Sequence, residues 1–232
     1  MPSLKRIVCL ANSWKLEERC IAGIELETGK WIRPVCDNLY PEDGRVPRFV
    51  RMVEGREPEL LDILEIPLDD TGNGFGFECE NLSVLPGEWR LSGKWLPTQV
   101  IDYCENFSHI LHNSLKYVNP SKLKVLPFHQ RRTLQLVQTN NLSVKKSSMG
   151  STGWRGSFQT TQGQVLRDAK ITDPVFAEKL EAGYQTTGNY LIIVSLGMPW
   201  APRDDWDGEA PCWKLIAGVI ELELEMSNKS LS

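Results

Sequence analysis

The sequence predicts a mainly β fold, two small β-barrels joined by one α-helix. Three observations carry that prediction. Short β-patterned runs cluster before about residue 96 and again after about residue 120. A single helical apolar stripe lies between the clusters. At 232 residues, 41% hydrophobic and 24% charged, the chain has the length for one large or two small domains and an ordinary globular composition. The expected units are a first barrel over 1–96, a linking helix over 97–118, a second barrel over 119–226 and a disordered tail over 227–232.

The elements follow in order. RIVCLA at 6–11 reads as a first strand. CIAGIEL at 20–26 and KWIRPV at 30–35 flank a short connection ending in Gly29, which is a hairpin signal. Pro34 cannot donate to a ladder, so that strand is an edge there or ends there. Residues 37–60 are rich in Arg, Glu, Pro and Gly and read as a long loop, with a helical turn near 58–61. A strand resumes at 61–66, and three glycines in 69–76 suggest a flexible excursion. The helix is expected over 98–116: Val100, Cys104, Phe107 and Leu111 share one face, and Pro97 precedes it at a position that tolerates proline. Strands follow at 123–126, 133–138, 155–161 and 164–167. A short helix starts at Asp173-Pro174, with Asp173 as its cap and Gly183 as its stop. Long apolar strands at 189–196 and 212–224 close the pattern, and the tail from 225 is polar.

Several function classes find no support. No apolar run approaches the roughly 18–20 residues of a membrane span. The N-terminal apolar run is too short for a signal-peptide core, so a cytoplasmic location is expected. Six cysteines without C-x-x-C spacing argue against a zinc site and against a secreted disulfide framework. Phosphate-loop and nucleophile-elbow motifs are missing, and Gly72, Gly74 and Gly76 lack the strand-to-helix setting of a dinucleotide fold. The acidic loop at 203–208 fails as a calcium loop, because Arg203 stands where a carboxylate is required. His109 and His112 would need a further ligand to hold a metal, and His129 has no identifiable nucleophile beside it. No enzyme activity, catalytic residue, metal or cofactor is expected.

Charge is the most informative feature. Residues 111–170 carry ten basic side chains and one acid, while the whole chain is net −4. So polarised a distribution steers a polyanion to one region despite an unfavourable total.

The opening RIVCLANS at 6–13, CIAGI at 20–24 and above all WIRPV at 31–35 resemble the bacterial dual OB-domain proteins. Weaker matches follow in the same order: DILEIP at 62–67, Glu80-Asn81 ahead of Trp89, Thr172-Asp173-Pro174, residues 190–197, and KLIA at 214–217. The resemblance implies that both barrels are OB-like. It also implies nucleic-acid recognition inside bacterial anti-phage or other conflict systems. It transfers no catalytic residue. The excursion at 72–76 and the acidic loop at 204–209 have no counterpart in it.

Nucleic-acid binding needs cations along the backbone path and flat surfaces for bases. Lys145, Lys146, Arg155, Arg131 and Arg132 are the candidate phosphate contacts, and Trp154 and Phe158 the candidate stacking platforms. The basic pair, the Ser/Gly stretch at 147–153 and the Trp154-Arg155 step would form a clamp of the OB type. A solvated face with Trp154 in the core is the competing reading. Trp31 and Arg33 form a second candidate site, since alternation puts them on one strand face. Arg33 either grips a phosphate or forms a salt bridge to an acid of the first half. The leading expectation is a non-enzymatic module for single-stranded or distorted DNA or RNA. The rival is a protein-interaction adaptor in a defence or CRISPR-like assembly, anchored by Trp200, Trp206 and Trp213. A third is recognition of a modified base near Trp31.

Overall fold

A computed structural model describes residues 3–147, 152–203 and 205–222. The polar tail and most of the Ser/Gly stretch lie outside the described residues. The first sheet holds β1 (Ser3–Lys15), β2 (Glu18–Glu25), β3 (Trp31–Val35), β4 (Asp62–Leu68), β5 (Asn81–Ser83) and β6 (Arg90–Lys94), in the order β5-β3-β2-β1-β4-β6. The second holds β7 (Tyr117–Val118), β8 (Leu134–Thr139), β9 (Ser143–Lys146), β10 (Trp154–Gln159), β11 (Val165–Ile171), β12 (Asn189–Leu196) and β13 (Cys212–Leu222). Its order is β8-β12-β13-β11-β10-β9, with β7 also on β13. Neither sheet closes into a barrel. Single bridges, Leu68 to Val84 and Thr139 to Thr160, draw distant strands together and give each sheet its OB-like curl. No helix among the described residues is long and apolar enough to cross a membrane.

Alternation explains most strands. In β13, Cys212, Lys214 and Ile216 point inward while Trp213 and Leu215 stay half-exposed. Pro34 lies beyond the last β2–β3 pair, Gly23 with Ile32 and Ile24 with Trp31, and faces only the short parallel β5. Asp173 caps the helix Pro174–Glu181: its Oδ1 accepts the Phe176 N–H at 3.1 Å, and its Oδ2 accepts the Val219 N–H at 3.0 Å. One side chain thus starts a helix and ties it to β13.

Three apolar clusters form the core. One belongs to the first half, around Ile7, Ile21, Leu64 and Trp89. A second belongs mainly to the second half, around Leu123, Phe158, Tyr190 and Ile216. The third is shared: Val8, Leu10 and Ile24 of the first sheet pack with Leu136, Ile193 and Ala217 of the second. Fully burying each such aliphatic side chain contributes about 1.5–3 kcal/mol. Contact at this seam is close. A Cβ at Gly218 would collide with the carbonyl oxygen of Leu10, so glycine is what lets β13 approach β1.

Three expected elements are corrected. The long linking helix does not form: a helical turn at Pro97–Val100 runs into a 3-10 turn at Ile101–Tyr103, and irregular backbone follows to β7. Tertiary bonds remove the helix. Lys214 reaches inward from β13, its Nζ donating to the Asn113 carbonyl at 2.6 Å, to Asn113 Oδ1 at 3.1 Å and to the Ile110 carbonyl. Leu111 and His112 adopt left-handed φ of 44° and 71°. The strand expected at 123–126 is instead the end of a short helix, Pro120–Lys124, started by Pro120. The turn expected near 58–61 is also displaced, to Arg48–Arg51. The arginines of the long loop around it are paired within the loop, Arg51 on Glu57, and with the sheet, Arg51 on Glu18 of β2 and Arg56 on Asp62 of β4.

Candidate nucleic-acid interface

The outer face of β9, β10 and β11 gathers part of the basic segment. Arg155 pairs with Lys145 on one side and with Lys170 on the other, so all three share one face. Lys170 in turn pairs with Leu215 of β13, which shares its outward face with Trp213.

A bulge in β11 places the one acid of the segment among these cations. Gly156 pairs with Ala169 and Phe158 with Leu166, so β11 carries an extra residue between them. Leu166 and Ala169 therefore both turn inward, each 2% exposed, and Arg167 and Asp168 both turn out. Asp168 takes a φ of 55°, and its N–H donates to Ser157 Oγ at 2.9 Å. Its carboxylate then meets Lys145 at 3.1 Å, Arg155 at 3.4 Å and Lys116 at 3.8 Å. Burial pushes the Asp168 carboxyl up, but the Lys145 hydrogen bond and the Arg155, Lys145 and Lys116 charges together hold it below its ordinary value. One carboxylate offsets one of four cations, so the face keeps a surplus.

Flat surfaces adjoin it. Lys116 Nζ stands 5.4 Å from the centre of the Trp213 ring. Tyr117, opposite Trp213 in the β7–β13 pair, lies 5.4 Å from it centre to centre, and Trp206 packs on both at 6.1 and 5.9 Å. The Trp213 Nε1–H donates to the Trp200 carbonyl at 2.8 Å, which holds the 61% exposed Trp200 beside the cluster. Trp206 belongs to the acidic loop, where Asp205, Asp207 and Glu209 are exposed. A phosphate backbone is therefore favoured on the Lys116 side of the aromatics and opposed on the loop side.

The other candidates are separated from this face. Lys146 and Trp154 neighbour Lys145 and Arg155 in sequence, so strand alternation turns them to the opposite face. There Lys146 Nζ binds Glu181 at 2.7 Å, and Trp154 Nε1–H donates to the same carboxylate at 2.7 Å. Phe158 is 3% exposed inside the second-half core, so base stacking by Phe158 is excluded. Gly156, its neighbour on that inward face, is small because any Cβ would collide with Ile216. Arg131 is spent on the end of the short helix, donating to the Lys124 carbonyl at 2.8 Å and the Leu126 carbonyl at 3.0 Å. Arg132 leaves the row altogether and lies over the Phe107 ring, 3.4 Å from its centre.

Arg33 is corrected most firmly: it is a buried ion-pair residue and offers no grip on a phosphate. Its Nη1 meets Glu78 at 2.6 Å and Asn81 at 3.3 Å, and its Nη2 donates to Thr133 Oγ1 at 2.9 Å. Thr133 comes from the second half, and Glu80 accepts both its N–H at 2.6 Å and its hydroxyl at 3.0 Å. Burial pushes the Arg33 guanidinium pKa down, but the Glu78 and Glu80 charges and the Glu78 hydrogen bond act against it together, and the net shift is upward. Trp31 is half-buried against the shared core.

Sequence reasoning did not assign Lys116, Lys170, Tyr117, Trp206 or Trp213 to nucleic acid. The signal was partial: the lysines lie in the basic segment, but the β7–β13 register that joins Tyr117 to Trp213 is a tertiary fact.

The sequence model of the Dual OB-containing domain family matches residues 5–219. No curated protein matches the chain significantly, and no solved structure does.

Proposed function

The chain belongs to the dual OB-containing domain family, and from that premise we propose that it is a non-enzymatic module binding single-stranded or distorted nucleic acid on the outer face of β9, β10 and β11. One observation carries the reading. Lys145, Arg155 and Lys170 form a cross-strand row on one face, and Lys116 links that row to the Tyr117–Trp206–Trp213 cluster. The row supplies charge for phosphates, and the indoles supply platforms for bases. A bacterial defence system in the cytoplasm is the setting the family resemblance suggests.

A labelled single-stranded oligonucleotide titrated across salt concentrations tests this. Lys145→Ala combined with Arg155→Ala should weaken binding and flatten the log–log salt slope by about 0.7 for each phosphate no longer neutralised. An unchanged slope and affinity would remove the assignment.

Trp200 favours a second reading, a protein-docking surface, because it is a large exposed indole whose backbone carbonyl is tied to the Trp213 ring. A complex with neighbouring gene products that resists nuclease, and disappears on Trp200→Ala, supports the adaptor.

A further inference from the structure

All three histidines of the chain line one hollow of about 480 Å³. His109 and His112 come from the irregular stretch that replaces the linking helix, and His129 from the 3-10 turn Phe128–Gln130. Arg132 forms part of the same wall, stacked on Phe107. No Asp or Glu among the described residues lines the hollow.

The donors are set rather than loose. His112 Nε2–H donates to the Arg132 carbonyl at 2.6 Å, which fixes the backbone from which the guanidinium projects. The guanidinium itself makes no hydrogen bond or ion pair among the described residues and sits over the Phe107 ring, where its charge also acts on the buried Glu105 carboxyl. A planar fork of five donors, immobilised by stacking and left without an acceptor, suits an anion that can be held bidentately. His129 and His109 are exposed at the rim with ring nitrogens within reach of small polar neighbours, Gln130 at 3.3 Å and Ser108 at 3.1 Å. Lys214 adds a buried ammonium beneath the stretch that carries His109 and His112.

The hollow is also continuous with the basic face. An adjacent hollow of about 510 Å³ shares Ser108 and His109 with it and reaches Lys116 and Arg167. Lys116 in turn approaches Asp168, where Lys145 and Arg155 meet. A strand lying on the row can therefore lead one end past Lys116 and Arg167 toward Arg132.

We infer that this hollow is a second site, which takes the terminal phosphomonoester of the nucleic-acid strand held on the β9–β11 face, with Arg132 as its main ligand and His129 and His109 at its rim. A terminal phosphate has three free oxygens and close to two charges, whereas an internal phosphate has two free oxygens and one charge. A hollow with many donors and no carboxylate discriminates in favour of the former. The inference rests on the proposed face for the strand, though not for the phosphate.

Full-length protein is titrated with three short oligonucleotides of one sequence: 5′-phosphorylated, 3′-phosphorylated, and hydroxyl at both ends. One phosphorylated strand should bind about tenfold tighter than the hydroxyl-ended one, the worth of a charge-assisted hydrogen bond. That ratio should fall toward one in Arg132→Gln and be partly kept in Arg132→Lys, with folding of each variant checked by thermal unfolding. Equal affinities in the parent protein overturn the site, as does a preference that survives Arg132→Gln together with His129→Ala. Failure of the face is seen separately, as loss of binding by the hydroxyl-ended strand. In that event the imidazole resonances decide, with adenosine 5′-monophosphate and adenosine as probes. Shifts with the monophosphate only, abolished in Arg132→Gln, uphold the phosphate site, and no shift refutes it.

Discussion

Arg33 and Arg155 both sit on strands beside carboxylates, yet the two neighbourhoods work in opposite ways. Around Arg33 the acids outnumber the cation, burial is almost complete, and the partners come from both halves of the chain. Around Arg155 the cations outnumber the acid, and the charged groups remain in reach of water. The first is closed to a ligand by burial, although the Arg33 Nε–H finds no acceptor there. The second keeps a surplus of positive charge, which is what the proposed nucleic-acid strand would meet. Counting arginines cannot separate the two; counting the carboxylates that fold against them does.

Substitution at Arg33 should do the most damage. Arg33→Met should cost about 3–5 kcal/mol of unfolding free energy, because Glu78 would be left buried and unpaired. Denaturant unfolding measures it, and adding Glu78→Leu should restore most of the stability. A small cost for the single substitution would show that water reaches the seam.

Glu105, next to the same seam, gives a pH signature. Burial pushes its carboxyl up to about 7 from an ordinary 4.5. The native protein thus holds that proton at pH values where the unfolded chain has released it. The stability so contributed is complete below about pH 4.5 and is lost as the pH rises through 7. The decline should be about 3 kcal/mol, and Glu105→Gln should remove it.

Asp168→Asn probes the Arg155 neighbourhood. Stability should change by less than about 1 kcal/mol, since the ion pairs are substantially exposed. Binding of single strands should tighten by about two- to fivefold, because Lys116, Lys145 and Arg155 lose their internal competitor. Weaker binding would mean that the carboxylate orders the cations instead of competing for them.

Lys146→Ala should do least. Lys146 lies on the opposite strand face from the row, paired with Glu181, so affinity should stay within about twofold by fluorescence anisotropy. A marked weakening would put the strand on the wrong side of the sheet.

Much of the fold is legible in the sequence. Strand periodicity places β1 to β4, β8 and β10 to β13, and Asp173-Pro174 marks its helix. The crowding of cations after residue 111 points to the second half. What stays hidden depends on partners far along the chain. Apolar spacing at Val100, Cys104, Phe107 and Leu111 is sound for a helix, but Lys214, about a hundred residues away, captures carbonyls that the helix would need. Arg33 reads as free until Glu78 and Thr133 fold onto it. A single clamp of Lys145, Lys146, Trp154 and Arg155 treats neighbours in sequence as neighbours in function. In an extended strand they are back to back. The bulge that brings Asp168 out has no glycine to announce it.

The close passage of Gly218 against Leu10, with a core common to both sheets, has a mechanical consequence. Two domains on a tether could swing like jaws and adapt to whatever lies between them. Here separating the halves would mean tearing open shared interior, so their angle is set once, during folding. On the proposed reading the protein is a rigid template, and any shape change needed for a good fit comes from the bound strand.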